Sequence, residues 1–291
     1  MNDSPILCVG AAHWDVIGRS RLPLAPGADA PGSATRRPGG VALNIASAFR
    51  GAGRRATLLS AVGDDTEGDA LIKAAEARGV ECSLVLRHGM PTDLYVAIED
   101  VSGELYAATA DCAGLEAAGS AIARPLADGR LPRSWTGAAA IDTNVAAETV
   151  AFLAEALGGA RLVAVSCASA AKVAASGPLL AAPGAVLYLN RAEAEAFCGE
   201  PCADARAAAS ALRARGVGAA VVTDGARAAA HVTPAGLWSA EPPRARVRGV
   251  TGAGDVFLAV HVAATLDGAD PPGALSAALD GAARHISKEI P

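Results

Sequence analysis

The sequence predicts an α/β protein in which a mostly parallel sheet is covered by helices on both faces and carries a small additional β-sheet. Two observations support this fold class. Short apolar runs alternate with longer alanine-rich helical runs along most of the 291 residues, a pattern typical of parallel sheets. Two stretches, 15–37 and 82–109, interrupt that alternation with turn residues and strand-like segments.

The first half of the chain alternates regularly between the two kinds of element. Residues 6–12 and 56–63 are short apolar runs that predict buried strands. Residues 42–53 predict a helix that ends at glycine. Residues 66–80 predict a second helix, from an i, i+3, i+4, i+7 pattern that starts at Leu71.

The same alternation returns after residue 130. Strands are predicted at 138–143, 161–166, 185–190 and 219–225, and helices at 146–157, 191–199, 207–217 and 273–290. Residues 244–250 are expected to form a strand-like arm that leads into an apolar helix beginning near Asp255.

The two irregular stretches are expected to form a lid at one edge of the main sheet. Residues 82–109 contain three strand-like segments, and Val101-Ser102-Gly103 is a candidate hairpin turn between the last two. Stretch 15–37 is expected to join them. Because the sequence has no internal repeat, no linker and no charge run, we expect one domain over residues 1–291.

Composition excludes several classes of protein. Hydrophobic residues make up 52% and charged residues 19%, which excludes a disordered chain. The net charge of -5 provides no basic field for a nucleic acid polymer. No leader and no membrane-length apolar run is found, and the six cysteines show no C-x-x-C spacing. We therefore expect a cytoplasmic protein without a membrane partner.

The strongest local motif is Thr251-Gly252-Ala253-Gly254-Asp255, which precedes an apolar helical run. Glycines allow close backbone approach, and the free N–H groups of a helix start attract an anion. An aspartate in this first turn is either an ordinary capping acid or a general base beside a phosphate.

A second motif places Gly39 and Gly40 before a helix that carries Asn44 in its first turn. It predicts either a site for a polyhydroxyl ligand or a plain turn and helix cap. Two competing motifs fail. The glycine segments 51–56 and 252–257 do not complete a dinucleotide fingerprint, and the sequence has no P-loop lysine motif.

Four segments, in this order, resemble the signatures of the ribokinase-like (PfkB) carbohydrate and nucleoside kinases. They are Gly39-Gly40 with Asn44, Gly53 and Val62-Gly63-Asp64 up to Gly68; Asn190 with Glu193; Thr223 with Gly225; and Thr251 to Asp255. The resemblance implies a ribokinase-like three-layer α/β/α domain with a β-sheet lid, and an ATP-dependent kinase.

The resemblance also implies roles for individual residues. Asp255 would be the catalytic base, and the N–H groups of Gly252, Ala253 and Gly254 would form an anion hole. The acceptor would be bound by Asp15, Gly39, Gly40 and Asn44. ATP would be bound by Asn190, Thr223, Gly225 and Thr251. Mg²⁺ would be held, through water, by Asn190 and Glu193.

Within the family, segments such as VGAAHWDVIG and AIDTNVAAETV are most similar to pseudouridine kinases. This similarity implies a small-molecule acceptor, pseudouridine, phosphorylated on its 5′-hydroxyl, with Thr92, Tyr95 and Asp111 facing the base from the lid. Another nucleoside, ribose or a ketose remains an open alternative. So does a catalytically silent sugar- or nucleoside-binding protein on the same fold.

The sequence departs from the family pattern at two positions. Gly249 stands where many relatives have an Asp or Asn at a monovalent-cation site, so we expect K⁺ to change the rate little. Ser166 stands where many relatives have an Asp.

An exposed edge of the lid sheet is also expected to pair with a second copy of the chain, giving a homodimer.

Overall fold

The computed structural model describes residues 4–25, 27, 29–102 and 104–288. Its strands are β1 Ile6–Val9, β2 His13–Ser20, β3 Gly32–Gly39, β4 Ala56–Leu59, β5 Ala61–Gly63, β6 Leu86–His88, β7 Leu94–Glu99, β8 Leu105–Asp111, β9 Ala138–Asp142, β10 Leu162–Ser166, β11 Ala185–Asn190, β12 Ala220–Asp224, β13 Arg227–Thr233 and β14 Gly236–Ala240.

The α-helices are α1 Val41–Gly51, α2 Thr66–Ala77, α3 Ala113–Ala118, α4 Arg124–Ala127, α5 Ala147–Ala156, α6 Arg191–Cys198, α7 Ala205–Ala214, α8 Ala253–Leu266 and α9 Pro271–Ile286. Two further segments, Gly119–Ala123 and Ala170–Ala181, are 3₁₀ helices.

The central sheet has the strand order β14-β13-β12-β11-β10-β9-β1-β4. The six strands from β12 to β4 are parallel, while β13 and β14 are antiparallel at one edge. Side chains alternate between the two faces. Leu7 and Val9 of β1 enter one apolar cluster, and Ile6 and Cys8 enter the other. Both faces are therefore packed, and the predicted α/β fold with a mostly parallel sheet is confirmed.

A separate four-stranded sheet has the order β3-β2-β7-β8. Its strands come from both stretches that interrupt the alternation, but the segment around β6 lies elsewhere. Residues 56–63, predicted as one strand, divide at Ser60, so that β4 stays in the central sheet while β5 leaves it and pairs with β6. β7 and β8 form an antiparallel pair. Gly103, part of the predicted turn between them, lies outside the described residues.

The expected strand-like arm at 244–250 is wrong. These residues form no strand and are largely exposed. Two prolines, Pro242 and Pro243, precede the arm and cannot donate ladder hydrogen bonds. The arm also carries Arg244, Arg246 and Arg248, which favours exposure to solvent over pairing with the edge strand β14.

Helix α8 is held against the central sheet by a buried hydrogen bond. The hydroxyl of Tyr188 in β11 lies 2.9 Å from Nδ1 of His261 in α8. Burial and the neighbouring His231 lower the pKa of His261 to about 3, so the imidazole is neutral at physiological pH. This bond fixes the helix that begins near Asp255 relative to the strand that ends at Asn190.

Strand β8 is the outer strand of the lid sheet, and its seven residues are all exposed, including Leu105 and Tyr106. That exposure is what pairing with a second subunit requires, and the homodimer stays a prediction. In the part of the chain that the structure describes, no helix is both long and apolar enough to cross a membrane.

Candidate active site

Asp255 lies in the first turn of α8. The residue that precedes this helix, Gly252, has a φ of 78°, which is in the left-handed region. Glycine adopts that conformation without steric cost. Of the three amides predicted to form an anion hole, that of Ala253 donates to the Val250 carbonyl oxygen at 3.1 Å. The structure thus assigns the Ala253 amide to a turn, and the amides of Gly252 and Gly254 remain as the candidate donors.

The carboxyl group of Asp255 is half-buried and accepts a hydrogen bond from the side chain of Asn44 in α1. Desolvation and, to a smaller extent, the negative charges of Asp142 and Asp15 together raise the pKa of Asp255 to about 7, against the lowering effect of the Asn44 hydrogen bond. A carboxyl group with such a pKa can accept a proton near neutral pH.

We expect the rate to report this pKa. Only ionised Asp255 can accept a proton, so kcat should rise as the pH increases through about 7 and level off above it. Because the Asn44 hydrogen bond lowers the pKa, Asn44→Ala should move that limb to higher pH. Full pH–rate profiles of both proteins test this. A limb near pH 4 in the wild type, or an unmoved limb in the variant, would contradict it.

Asp15 is a buried residue of β2, and its side chain lies on one face of the four-stranded lid sheet. Its Oδ1 is 3.2 Å from Nδ1 of His13, and its Oδ2 is 3.6 Å from Nε of Arg37. Asp15 is in register with Arg37 on β3 and with Tyr95 on β7, and the three side chains therefore share a face. A ligand above this face would meet one carboxylate between cationic and aromatic groups.

The glycine pair permits close approach between the lid and the main domain. A Cβ on Gly39 would lie 2.3 Å from Oδ1 of Asp15. Gly40 has a φ of 94°, and a Cβ there would lie 2.4 Å from the Ala11 carbonyl oxygen. Side chains at these positions would displace Asp15 and the start of α1, which carries Asn44.

The motif analysis did not single out Asp142, the last residue of β9. It is fully buried and accepts hydrogen bonds from the backbone N–H groups of Ala11 (2.8 Å), Ala42 (3.0 Å) and Asn144 (2.8 Å). Burial raises its pKa. Asp142 ties the start of α1 to the central sheet, and its charge acts on Asp255. An acid at the carboxyl end of a buried strand was the signal available in the sequence.

Asn190 and Glu193 form a capping box at the start of α6. The Asn190 side chain accepts from the Glu193 N–H at 2.9 Å, and Oε2 of Glu193 accepts from the Asn190 N–H at 2.9 Å. Burial raises the pKa of Glu193. The hydroxyl of Thr223 on β12 lies 3.4 Å from the Leu189 carbonyl oxygen. Gly225, in the turn after β12, is exposed with a φ of 61°.

Two cavities flank Asp255. The first, of about 150 Å³, is lined by Ser166, Tyr188, Asn190, Glu193, Thr223, Gly254 and Asp255, among others. The second, of about 610 Å³, is lined by Asp15, Arg37, Asn44, Arg78, Thr251, Gly252, Arg284, His285 and Lys288, among others. Asp255 lines the first cavity, and its hydrogen-bond partner Asn44 lines the second. Of the predicted ATP-binding residues, Asn190 and Thr223 share the first cavity with Asp255, while Thr251 lines the second cavity with Asp15 and Asn44, and Gly225 lines neither.

None of the predicted lid residues Thr92, Tyr95 and Asp111 lines either cavity, and neither do Gly39 and Gly40. The Thr92 hydroxyl donates to Oδ1 of Asp65 at 2.6 Å and accepts from the Gly63 N–H at 3.1 Å, so it supports the start of α2. Asp111 is in register with Leu94, one residue from Tyr95, and therefore points to the opposite face of the lid sheet from Asp15. Of the three predicted lid residues, only Tyr95 shares the Asp15 face.

The residues around Thr251 do not fit a monovalent-cation site. Gly249 supplies no side-chain ligand. The Thr251 carbonyl oxygen lies 2.9 Å from Nε2 of His285 on α9. A side chain of this chain thus already bonds this carbonyl oxygen.

The mostly parallel central sheet, packed on both faces, and the small separate sheet define a ribokinase-like fold. Residues 3–289 match the model of the pfkB family of carbohydrate kinases. The chain therefore belongs to this family of carbohydrate kinases.

Individual relatives agree with this assignment. The chain is 36% identical to the pseudouridine kinase of Escherichia coli over 109 residues, which are 36% of this chain and about a third (34%) of that protein. A carbohydrate kinase structure from Agrobacterium tumefaciens superposes with a TM-score of 0.78 at 27% identity, covering 96% of this chain and 90% of the other. The Arabidopsis thaliana ribokinase, solved with ribose and ATP, has a TM-score of 0.79 at 19% identity, covering 98% and 93% of the chains. This last likeness concerns the fold alone.

Proposed function

We propose that this chain transfers the γ-phosphoryl group of ATP to the 5′-hydroxyl of a nucleoside, with pseudouridine as the preferred acceptor. The position of Asp255 carries the proposal. It lines one cavity with Asn190 and Glu193, while its partner Asn44 lines the other with Asp15. A phosphate bound beside Asn190 and a hydroxyl bound beside Asp15 would meet at Asp255.

The donor side suits Mg-ATP. The capping box uses Oε2 of Glu193, which leaves Oε1 for a water of the metal. Among the described residues, no three His, Cys, Asp or Glu side chains are grouped to hold a metal directly. Mg²⁺ normally keeps several waters and binds through phosphate oxygens, so Asn190 and Glu193 would hold it indirectly. The bound ion would neutralise charge on the ATP phosphates.

The chemical step follows from the carboxyl group and the amides. Asp255 accepts the proton of the acceptor hydroxyl as that oxygen bonds to the γ-phosphorus. The bond from the γ-phosphorus to the bridging oxygen breaks, and ADP leaves with that electron pair. The amides of Gly252 and Gly254 would stabilise charge on the transferred oxygens. Asn44 orients Asp255 while leaving it ionisable near neutral pH.

The face of the lid sheet that carries Asp15 supports an acceptor with two vicinal ribose hydroxyls and an aromatic base. Asp15 can accept hydrogen bonds from two vicinal hydroxyls. The Tyr95 and His13 rings lie 6.2 Å apart on the same face, where a planar base could pack against them. Because Asp111 faces away, recognition of the base is assigned to Tyr95 and His13. The partial similarity to pseudouridine kinase supports the choice of nucleoside.

An ADP-release screen tests the acceptor. Pseudouridine, uridine, ribose and fructose are compared at equal concentration, with Asp255→Asn as the control for contaminating kinases. We expect kcat/KM for pseudouridine to exceed that for uridine at least about tenfold. Uridine has C–H where pseudouridine offers N–H, so it would leave the hydrogen-bond acceptor on the Tyr95 and His13 face unpaired.

The other outcomes of the screen point elsewhere. Equal values for the two nucleosides would contradict the pseudouridine assignment and leave the nucleoside kinase. Fast turnover of ribose or fructose alone would identify a sugar kinase, an alternative that the similarity to the Agrobacterium carbohydrate kinase favours. Acceptor binding without turnover in Mg-ATP would identify a silent binding protein.

A further inference from the structure

The last turn of α9 packs against residues 248–252, here called the entry loop because it leads into the first turn of α8. Nε2 of His285 lies 2.9 Å from the Thr251 carbonyl oxygen, and the Arg248 N–H donates to the Ile286 carbonyl oxygen at 2.8 Å. A Cβ on Gly252 would lie 3.4 Å from Nε2 of His285. Two hydrogen bonds and close packing therefore hold the entry loop to α9.

The Thr251 carbonyl directly precedes the amide of Gly252, because the two groups belong to one peptide unit. Any group that fixes this carbonyl also fixes the direction of the Gly252 N–H. The peptide plane is rigid, so rotation of the carbonyl away from His285 would also rotate the Gly252 N–H. The position of His285 is thus linked to a candidate donor for the transferred phosphoryl group.

The electrostatic setting disfavours a cation at this carbonyl. Arg284 and Lys288 line the same cavity as Thr251, and each carries a positive charge. Both residues are exposed, so solvent and salt screen part of their repulsion toward a cation. Gly249 offers no carboxylate ligand, and the carboxylate that lines this cavity is that of Asp15, which lies beside His13 and Arg37. The observed partner of the carbonyl is an N–H donor from the chain itself.

We propose that His285 is a positioning residue that fixes the entry loop and takes the place of a monovalent cation, which makes the phosphotransfer independent of K⁺. The catalytic part of this inference rests on the proposed function. A neutral imidazole with its proton on Nε2 and a protonated imidazole both donate to the carbonyl.

Amide hydrogen exchange tests the positioning role without any substrate. In His285→Ala, the amides of residues 249–254 should exchange about tenfold faster than in the wild type, since one hydrogen bond is lost. His285→Gln, whose side-chain amide can donate to the same oxygen, should exchange close to the wild-type rate. Arg284→Gln is the matched control in the same helical turn and should leave these amides unchanged.

Kinetics test the catalytic part. His285→Ala should lower kcat about tenfold with less than about a twofold change in KM for the acceptor, and His285→Gln should recover most of the loss. The wild-type rate should agree within about twofold in KCl and in tetramethylammonium chloride at equal ionic strength.

Three results would overturn the proposal: unchanged exchange in His285→Ala, equal loss of kcat in the alanine and glutamine variants, or strong activation of the wild type by K⁺. Because the exchange measurement needs no acceptor, it still tests the positioning role if the proposed phosphotransfer fails.

Discussion

Asp255→Asn is expected to lower kcat by about 10²–10⁴-fold, the usual range for a lost general base. Asparagine has nearly the same shape and can keep a hydrogen bond to Asn44, but its amide cannot accept a proton from the acceptor hydroxyl. Dissociation constants for the acceptor and for ATP should change little. Turnover measured by ADP release and binding measured by calorimetry separate the two effects.

The matched control is Asp280→Asn, which removes an exposed carboxylate on α9 that lines neither cavity. It makes the same change in charge and should retain wild-type turnover. If Asp255→Asn kept more than about a tenth of the wild-type kcat, Asp255 would not be the base.

Asp15→Ala is expected to reduce kcat/KM for the acceptor roughly 10²-fold or more and to leave KM for ATP nearly unchanged. The carboxylate would accept two charge-assisted hydrogen bonds from ribose hydroxyls, each worth about 1.5–3 kcal/mol. Each 1.4 kcal/mol corresponds to about a factor of ten. Steady-state kinetics with each substrate varied in turn give the two constants.

Acceptor analogues make this test specific. A 2′-deoxy or 3′-deoxy acceptor should lose a similar share of kcat/KM with the wild type, and little more with Asp15→Ala, because the same contact is already missing. Asp15→Asn is the matched variant, since it keeps the size of the side chain beside Gly39. If the loss of kcat/KM from Asp15→Ala and the loss from a deoxy acceptor simply added, Asp15 would act through the lid and not through the ribose hydroxyls.

Much of the fold could be predicted from the alternation of apolar runs, because a parallel sheet buried on both faces requires such runs whatever the loops do. The strands predicted at 138–143 and 185–190 correspond to β9 and β11. The lid was harder to predict. β2 pairs with β7, about 80 positions later in the chain, and β6 pairs outside the lid. Local pattern carries no information about such pairings.

The site divides in the same way. Asp255, Asn44 and Asn190 could be named from short motifs, since each motif is a local backbone shape with a polar side chain at a helix start. Asp142 and His285 belong to no such motif. Their partners, the amide of Ala11 and the carbonyl of Thr251, lie 131 and 34 positions away in the chain. Only folding creates those contacts.

By itself, the sequence determined the fold class, the kinase family and the motif residues, because these depend on periodicity and on short-range backbone geometry. The tertiary structure decided which groups face one another. It turned Asp111 away from Asp15 by one step of strand register, and it drew the Ala253 amide into a turn. It also raised the pKa of Asp255 to about 7 through burial and through the charges of Asp142 and Asp15. Register, burial and charge proximity are properties of packed elements, and they appear only when distant segments meet.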